Sequence, residues 1–285
     1  MGKTPAQVGN ADAQLSKCNL CGSTAIKLVA DVRTKPEHEK IYGKVLAEKK
    51  YYRKTYHCSA CGVYCNIWNP AFDIAYEEDW VGTLYSDGLL AAYSKIRGFP
   101  FEKSDNKHRA RRVDEYVRSH HFTPKNTVVL DVGCGTCVFL GEMKDLGYQG
   151  FAIDPDPRSI EHAKNNVGVR GFAGTLETYS GTEQFDVITF NKVLEHIRDP
   201  ITTLRAAAKH LHDNGILYVE LPEGDNAGKD SFVDREEFWI GHHNVYTEQS
   251  IRYLLEHAGF TVNSVHSIRD PSGKYTVFAF ATKKG

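Results

Sequence analysis

The stretch VVLDVGCGTCVFL, residues 128–140, decides the fold of this 285-residue chain. It begins with an apolar run, reaches an acid at Asp131, turns through Gly133 and Gly135, and continues into a segment of helical character. Strands that are buried on both faces have continuous apolar runs of this kind, and glycines let a backbone approach a ligand closely. The stretch therefore predicts a buried strand, a ligand-binding turn and a helix.

The following residues repeat this alternation of strand and helix. After a first strand at 127–131, the sequence predicts strands at 150–154, 169–172, 185–190 and 215–220, and helices at 136–147, 157–166 and 200–212. Such alternation is typical of a doubly wound α/β fold with a mostly parallel sheet. A helix at 248–258 and two strands, 261–268 and 275–281, come last. A short Pro-Ser-Gly turn joins these strands, so we expect them to pair antiparallel.

The composition is that of a soluble globular protein, with 41% hydrophobic and 25% charged residues. The N-terminus lacks the apolar core of a signal peptide, and no apolar run approaches the ~20 residues of a membrane helix. We therefore expect a cytoplasmic protein without membrane insertion. Residues 1–125 carry 20 Lys+Arg and 14 Asp+Glu, a balance of +6, which leaves −7 for the remainder. The positive balance of residues 1–125 can attract a phosphorylated substrate, or these charges can be ordinary solvated surface. The balance is too weakly basic to indicate binding of duplex nucleic acid.

Seven cysteines without a secretion signal disfavour a disulfide framework. Two C-x-x-C-Gly knuckles stand out, formed by Cys18, Cys21, Cys58 and Cys61. Four thiolates match the tetrahedral coordination of structural Zn²⁺, although the 36-residue spacer between the knuckles exceeds the usual length. The sequence predicts a closed zinc site, the alternative being four unrelated thiols. Cys65 is a spare potential ligand.

The chain divides into four predicted parts: a disordered tail (1–16), a zinc-binding module (17–70), a helical linker or substrate region (71–120) and a catalytic domain (121–285). Ser104 and Asp105 are candidate caps for a helix over 104–120. The zinc module is expected to fold around its metal, because it is too small for a core of its own.

The glycine turn is compatible with two cofactor classes. A dinucleotide fingerprint requires a small residue where Val138 stands, so that pattern fails. From about residue 110 to 285 the chain instead resembles class I S-adenosylmethionine-dependent methyltransferases, whose first motif reads Asp-x-Gly-x-Gly. Asp154 stands 19 residues after Gly135, as the ribose-binding acid of that family does, and a Leu-Glu-His segment ending at His196 follows the fourth strand. The resemblance implies a Rossmann-like, seven-stranded sheet.

The resemblance also implies the residues that bind S-adenosylmethionine: Asp131, Gly133, Gly135, Asp154, Pro155, Asn191 and Val193. Asp154 would accept hydrogen bonds from both ribose hydroxyls, and His196 would have a structural role beside the cofactor. Cys137 replaces a glycine that is frequent in the family. Together with Cys134 it also forms a C-x-x-C pair, for which a redox role is the alternative to two small space-filling thiols.

A zinc module, a helical linker and a catalytic domain together resemble methyltransferases of sugar and natural-product pathways. The expected acceptor is a hydroxyl, or a carbon, of a small molecule such as a sugar nucleotide or a surface-polysaccharide precursor. One alternative is an RNA methyltransferase that grips nucleic acid with the zinc module, although no basic stripe with interleaved aromatics is present. Another is a cofactor-binding scaffold without catalysis.

The loop before the last helix contains the candidate general bases His242 and His243, because histidine titrates near neutral pH; capping or packing histidines are the alternative. Relatives with the sugar-pathway layout have a similar histidine there. Glu220, at the end of the fifth strand, is a rival base or a hydrogen-bond acceptor for the substrate. Arg109, Arg111 and Arg112 are candidate phosphate ligands, with a solvated helix face as the alternative.

Overall fold

The computed structural model describes residues 13–39, 51–72 and 88–285. Most of the predicted disordered tail, residues 1–12, and part of the predicted helical linker, residues 73–87, lie outside the described residues, as do residues 40–50. None of the helices in the described ranges is long and apolar enough to cross a membrane.

Eleven strands follow one another along the described chain: β1 (Ile26–Val32), β2 (Arg53–Cys58), β3 (Tyr64–Trp68), β4 (Val128–Val132), β5 (Gln149–Asp154), β6 (Arg170–Ala173), β7 (Phe185–Asn191), β8 (Leu211–Pro222), β9 (Asn244–Val245), β10 (Phe260–Arg269) and β11 (Tyr275–Lys283). The α-helices between them are α1 (Leu89–Arg97), α2 (Asp105–Ser119), α3 (Val138–Asp145), α4 (Pro157–His162), α5 (Pro200–His210), α6 (Gly224–Asp230) and α7 (Glu248–His257). A π-helical turn, Ala163–Val167, extends α4.

Seven strands form the main sheet, in the order β10-β11-β8-β7-β4-β5-β6. The five strands from β8 to β6 run parallel, and β11 is antiparallel to both of its neighbours. This confirms the predicted doubly wound, mostly parallel α/β fold and the antiparallel final pair. The strand order reverses at β4, which lies between β5 and β7, and ligands of such sheets bind outside the carboxyl ends of the strands at this point.

The helix α2 covers one face of the main sheet and positions arginines at its edge. Ser104 begins the helix, because its hydroxyl accepts a hydrogen bond from the backbone N–H of Lys107 at 3.2 Å. Ala110, Val113 and Val117 form the buried stripe of the helix. The predicted helix over 104–120 and its serine cap are therefore confirmed.

The described residues 13–39 and 51–72, here named the N-terminal segment, are joined to the catalytic part by a second sheet. This sheet has the order β1-β2-β3-β9, so its last strand comes from residues 244–245, far along the chain. The knuckle residues Cys58 and Cys61 pack in the same core as Ile251 and Leu254 of α7. The zinc-module segment therefore shares both a sheet and a hydrophobic core with the catalytic domain.

Candidate active site

A cavity of about 470 Å³ opens at the carboxyl ends of β4, β5 and β7, where the strand order reverses. All seven residues predicted to bind the cofactor contribute to its wall: Asp131, Gly133, Gly135, Asp154, Pro155, Asn191 and Val193. The fold therefore brings together residues that lie up to 62 positions apart. Their contact with the cofactor itself stays a prediction.

The turn after β4 requires glycine at position 133. Gly133 has a φ of 72°, in the left-handed region, and its N–H donates to the carbonyl of Ile153 at 2.7 Å. A Cβ atom at this position would lie 2.6 Å from Cγ2 of Val193, in the loop after β7. Cys137 also adopts a left-handed φ, of 55°, which costs a non-glycine residue about 1–2 kcal/mol. Cys137 thus has this strained conformation at the position where the family frequently has a glycine.

Two buried carboxyl groups border the cavity. Asp131 accepts hydrogen bonds from the Thr189 hydroxyl at 2.8 Å and from Nδ2 of Asn191 at 2.7 Å. Asp154 accepts one from the N–H of Gly135 and one from the N–H of Asp156, at 2.8 and 2.9 Å. Burial raises the pKa of Asp131 to about 7 and that of Asp154 to about 6, and these hydrogen bonds offset only part of the effect.

We expect affinity for S-adenosylhomocysteine to fall as the pH is lowered through about 6. The resemblance implies Asp154 as the acceptor of the ribose hydroxyls, which would donate best to its ionised form. Its pKa is about 6, so binding strength should be present above that pH and be lost below it, by up to tenfold per pH unit. Calorimetry between pH 5 and 8 measures this. The Asp154→Asn variant should bind at least ~10-fold more weakly at pH 7.5 and should lose the transition near pH 6. A variant profile with the wild-type shape and affinity would contradict the assignment.

The cavity wall also contains residues that the sequence analysis did not assign to the site. Thr175 and Leu176 follow β6, and Asn106 belongs to α2. Lys192 has a left-handed φ of 59°, and its ammonium donates to the carbonyl of Leu221 at 2.9 Å and to the Thr276 hydroxyl at 2.6 Å. The residues after β6 share the carboxyl-end position of Asp131 and Asp154 and could have been found by that rule. Lys192, which directly follows β7, has the same signal, whereas Asn106 on α2 has none.

Among the described residues, His196 is the histidine that lines the cavity. Neither His242 nor His243 contributes to the cavity wall. The His242 ring lies behind the His196 ring, edge to face, with centroids 4.8 Å apart. His243 stacks on the Trp68 ring at 4.8 Å. The structure therefore places His196, rather than the two predicted bases, next to the cavity.

Backbone carbonyls fix the tautomers of His196 and His242. Nδ1 of His196 lies 2.9 Å from the carbonyl of Gly241, and Nδ1 of His242 lies 2.8 Å from the carbonyl of Glu237. A carbonyl only accepts, so each Nδ1 carries the proton and each neutral ring keeps its lone pair on Nε2. Burial lowers the pKa of His242 to about 4 and holds that of His196 well below its usual range. Both rings are therefore neutral at pH 7.

Glu195 lies beside these two rings. Its side chain is buried, and burial raises its pKa to about 7. The candidate ligand atoms of Glu195, His196 and His242 all lie within 4.8 Å of one another. Such a set can share a proton or hold a cation, and it is one of two groups of this kind in the described part of the chain.

Glu220 is an ion-pair partner for two arginines. Its side chain is fully buried and accepts three hydrogen bonds. Nε of Arg109 donates at 2.9 Å, Nη2 of Arg112 donates at 3.0 Å, and the Tyr218 hydroxyl donates at 2.7 Å. Burial opposes its ionisation, but the two guanidinium groups outweigh that effect and hold its pKa below the usual range. These contacts do not suit a general base.

The same ion pairs engage Arg109 and Arg112, and the guanidinium group of Arg111 lies 3.7 Å from the Phe101 ring. The geometry therefore gives no support to these arginines as phosphate ligands.

The second candidate metal group consists of the four knuckle cysteines: Cys18, Cys21, Cys58 and Cys61. The Sγ atoms of Cys18 and Cys61 are 3.7 Å apart, and those of Cys21 and Cys58 are 3.6 Å apart. Tetrahedral Zn²⁺ with bonds of about 2.3 Å separates its sulfurs by about 3.8 Å, which fits. Cys65 lies outside this group, with its Sγ 3.8 Å from that of Cys18.

The fold, the cavity at the reversal of strand order and the motifs around it define an S-adenosylmethionine-dependent methyltransferase of class I. The chain belongs to the methyltransferase domain family, whose sequence model matches residues 105–265, more than half of its length.

Two relatives are ubiquinone biosynthesis O-methyltransferases. The protein from Methylocella silvestris is 29% identical over 154 residues, which cover 50% of this chain and 58% of that protein. The protein from Caulobacter vibrioides is 34% identical over 98 residues, which cover 32% of this chain and 39% of that protein. The chain thus spans about 40–60% of the length of these two relatives.

Solved structures share the fold. The 1,6-didemethyltoxoflavin-N1-methyltransferase of Burkholderia thailandensis has a TM-score of 0.51 at 19% identity, with 86% of this chain and 100% of that chain covered. The magnesium protoporphyrin IX methyltransferase of Synechocystis, with bound S-adenosylhomocysteine, has a TM-score of 0.54 at 13% identity, with 72% and 97% covered. At these identities the likeness shows the fold alone.

Proposed function

We propose that the protein transfers a methyl group from S-adenosylmethionine to a hydroxyl oxygen of a small molecule, with His196 as the general base. The observation that carries this proposal is the position of His196 in the cavity wall. Its Nδ1 donates to the carbonyl of Gly241, so Nε2 is the ring nitrogen that can take a proton.

The cavity fits the cofactor. The Oδ1 atom of Asn191 is buried without a hydrogen-bond partner among the described residues, and it suits the ammonium group of the methionine moiety. Asp154 suits the ribose hydroxyls, because each of its oxygens keeps lone pairs beyond its one backbone hydrogen bond. When bound, S-adenosylmethionine would supply the electrophilic sulfonium methyl group.

The residues of the chain would align the acceptor and remove its proton. Nε2 of His196 would take the hydroxyl proton as the acceptor oxygen bonds to the methyl carbon. The carbon–sulfur bond would break, and its electron pair would leave with S-adenosylhomocysteine. His242 would hold the His196 ring from behind, since its own Nδ1 is fixed by the carbonyl of Glu237. We propose a positioning role for Glu220, whose ion pair with Arg109 fixes an arginine of the cavity wall.

An oxygen acceptor is supported by the names of the curated relatives, which are O-methyltransferases. These relatives give no support to the sugar or polysaccharide acceptor that the domain layout suggested. We therefore propose a hydroxyl of a small molecule and do not retain the sugar.

We further propose that Cys18, Cys21, Cys58 and Cys61 hold one structural Zn²⁺, which the spacing of their sulfur atoms supports. Four thiolates leave no open coordination position, so such a metal would stabilise the fold without taking part in methyl transfer.

The test is methyl transfer from labelled S-adenosylmethionine to panels of phenols, quinol precursors, sugar nucleotides and tRNA. We expect the labelled methyl group on a small molecule that has a free hydroxyl. The product should be a methyl ether, which resists the acid treatment that cleaves methyl esters. Label recovered only in tRNA, or on nitrogen, would contradict the proposal.

A further inference from the structure

The segment of residues 232–243, here named the histidine loop, is held by side chains of the N-terminal segment. Asn66 lies on β3 and is 1% exposed. Its Nδ2 donates to the carbonyl of Phe238 at 3.1 Å and to that of His242 at 3.0 Å. Its backbone N–H donates to the carbonyl of His243 at 3.0 Å. One residue of the N-terminal segment thus holds the histidine loop at three points.

The neighbouring strand fixes the orientation of the Asn66 amide. The hydroxyl of Thr55, on β2, donates to Oδ1 of Asn66 at 2.7 Å, and Thr55 is fully buried. The carbonyls of Phe238 and His242 only accept, so Nδ2 must face the histidine loop, and the Thr55 hydroxyl supports this orientation by donating to Oδ1. The amide is therefore preorganised by its own sheet.

Two other buried side chains hold the same loop. Arg53 donates to the carbonyls of Phe232 and Val233 at 3.1 and 3.0 Å, and the N–H of Ile240 donates to Glu39 at 2.7 Å. Arg53 and Glu39 are at most 1% exposed. Since a buried polar group without its partner costs about 1–3 kcal/mol, the N-terminal segment and the loop depend on each other.

We infer that Asn66 is a positioning residue that orients the rings of His196 and His242 through the backbone of the histidine loop. The carbonyls that accept from these rings belong to Gly241 and Glu237. The residues that follow them, His242 and Phe238, have the carbonyls that accept from the Asn66 amide. A shift of the loop at those points therefore turns both rings. The inference rests on the proposed function, in which His196 is the base.

The experiment uses the full chain with S-adenosylhomocysteine bound and therefore needs no acceptor. Asn66→Asp removes both side-chain donors, and Thr55→Val removes the hydroxyl that orients the amide while keeping the shape. Tyr64→Phe is the matched control, because it removes another hydrogen bond from β3, to Asp225 at 2.9 Å, without touching the histidine loop's carbonyls. Calorimetry with S-adenosylhomocysteine verifies that each variant is folded.

Long-range ¹H–¹⁵N spectra report the tautomer of each histidine ring. Signals of His196 and His242 are assigned by their loss in the corresponding alanine variants. In the unchanged protein we expect both rings with the proton on Nδ1. In Asn66→Asp and Thr55→Val we expect mixed tautomers of the two rings, while the affinity for S-adenosylhomocysteine stays within about twofold of that of the unchanged protein. Tyr64→Phe should keep the ring signals of the unchanged protein.

Unchanged ring signals in a folded Asn66→Asp or Thr55→Val protein would overturn the inference, and so would an equal change in Tyr64→Phe. Turnover on the identified acceptor should fall at least ~10-fold in the first two variants. If His196→Ala retains full turnover, the proposed base is wrong; the ring signals still decide whether Asn66 positions the two histidines.

Discussion

Replacing His196 by alanine should lower turnover by about 100-fold to 10,000-fold, the usual contribution of general acid–base catalysis. Affinity for S-adenosylhomocysteine should change by less than about twofold, because the hydrogen bonds of Asp154 and Asp131 are untouched. Steady-state kinetics at saturating cofactor and calorimetry measure the two quantities. The ring of His196 occupies the cavity wall, whereas that of His242 lies behind it, so His242→Ala should have the smaller effect, about tenfold.

The control for this prediction is His257→Ala, which removes an exposed histidine at the end of α7. Its turnover should equal that of the unchanged protein. Burial holds the pKa of His196 below its usual value of 6.5, so the base stays unprotonated to lower pH. At saturating cofactor, the acid limb of turnover should therefore lie below pH 6.5. Full turnover in both His196→Ala and His242→Ala would show that the acceptor needs no histidine base.

Loss of the proposed zinc should disable catalysis, although four thiolate ligands would leave this metal no open position for chemistry. We expect one zinc per chain in purified protein and a loss of most of it in Cys58→Ser, because Cys58 is fully buried within the sulfur cluster. Structural zinc sites contribute on the order of 10 kcal/mol to folding in small modules. The four-stranded sheet, the hydrogen bonds of Asn66 and the histidine loop should loosen together, and turnover should fall at least ~100-fold.

Metal analysis, thermal unfolding and turnover check this prediction. Cys137→Ser is the matched control, since it changes another fully buried thiol that lies outside the cluster and should leave the zinc content at one per chain. Protein that was never exposed to a chelator and contains no zinc would rule out the site. An unchanged thermal midpoint in Cys58→Ser would show that the shared core does not depend on the metal.

The sequence by itself determined the main sheet and the cofactor end of the cavity. Continuous apolar runs and the glycine turn after Asp131 are local signals, and parallel strands bring their carboxyl ends to a common edge. Asp131, Asp154 and Asn191 could therefore be placed together from the sequence alone. The knuckle cysteines were likewise predictable, since their spacing within each pair is a local property.

The arrangement of the proposed acceptor end of the cavity was decided by tertiary structure alone. His196 and His242 lie 46 positions apart, and nothing local shows that one ring faces the cavity while the other lies behind it. The role of Glu220 depends on arginines contributed by α2, because their ion pairs make it a partner of these arginines instead of the candidate base. The pairing of β3 with β9 joins residues about 180 positions apart. Pairing over that distance depends on packing and long-range hydrogen bonds, which no local pattern in the sequence records.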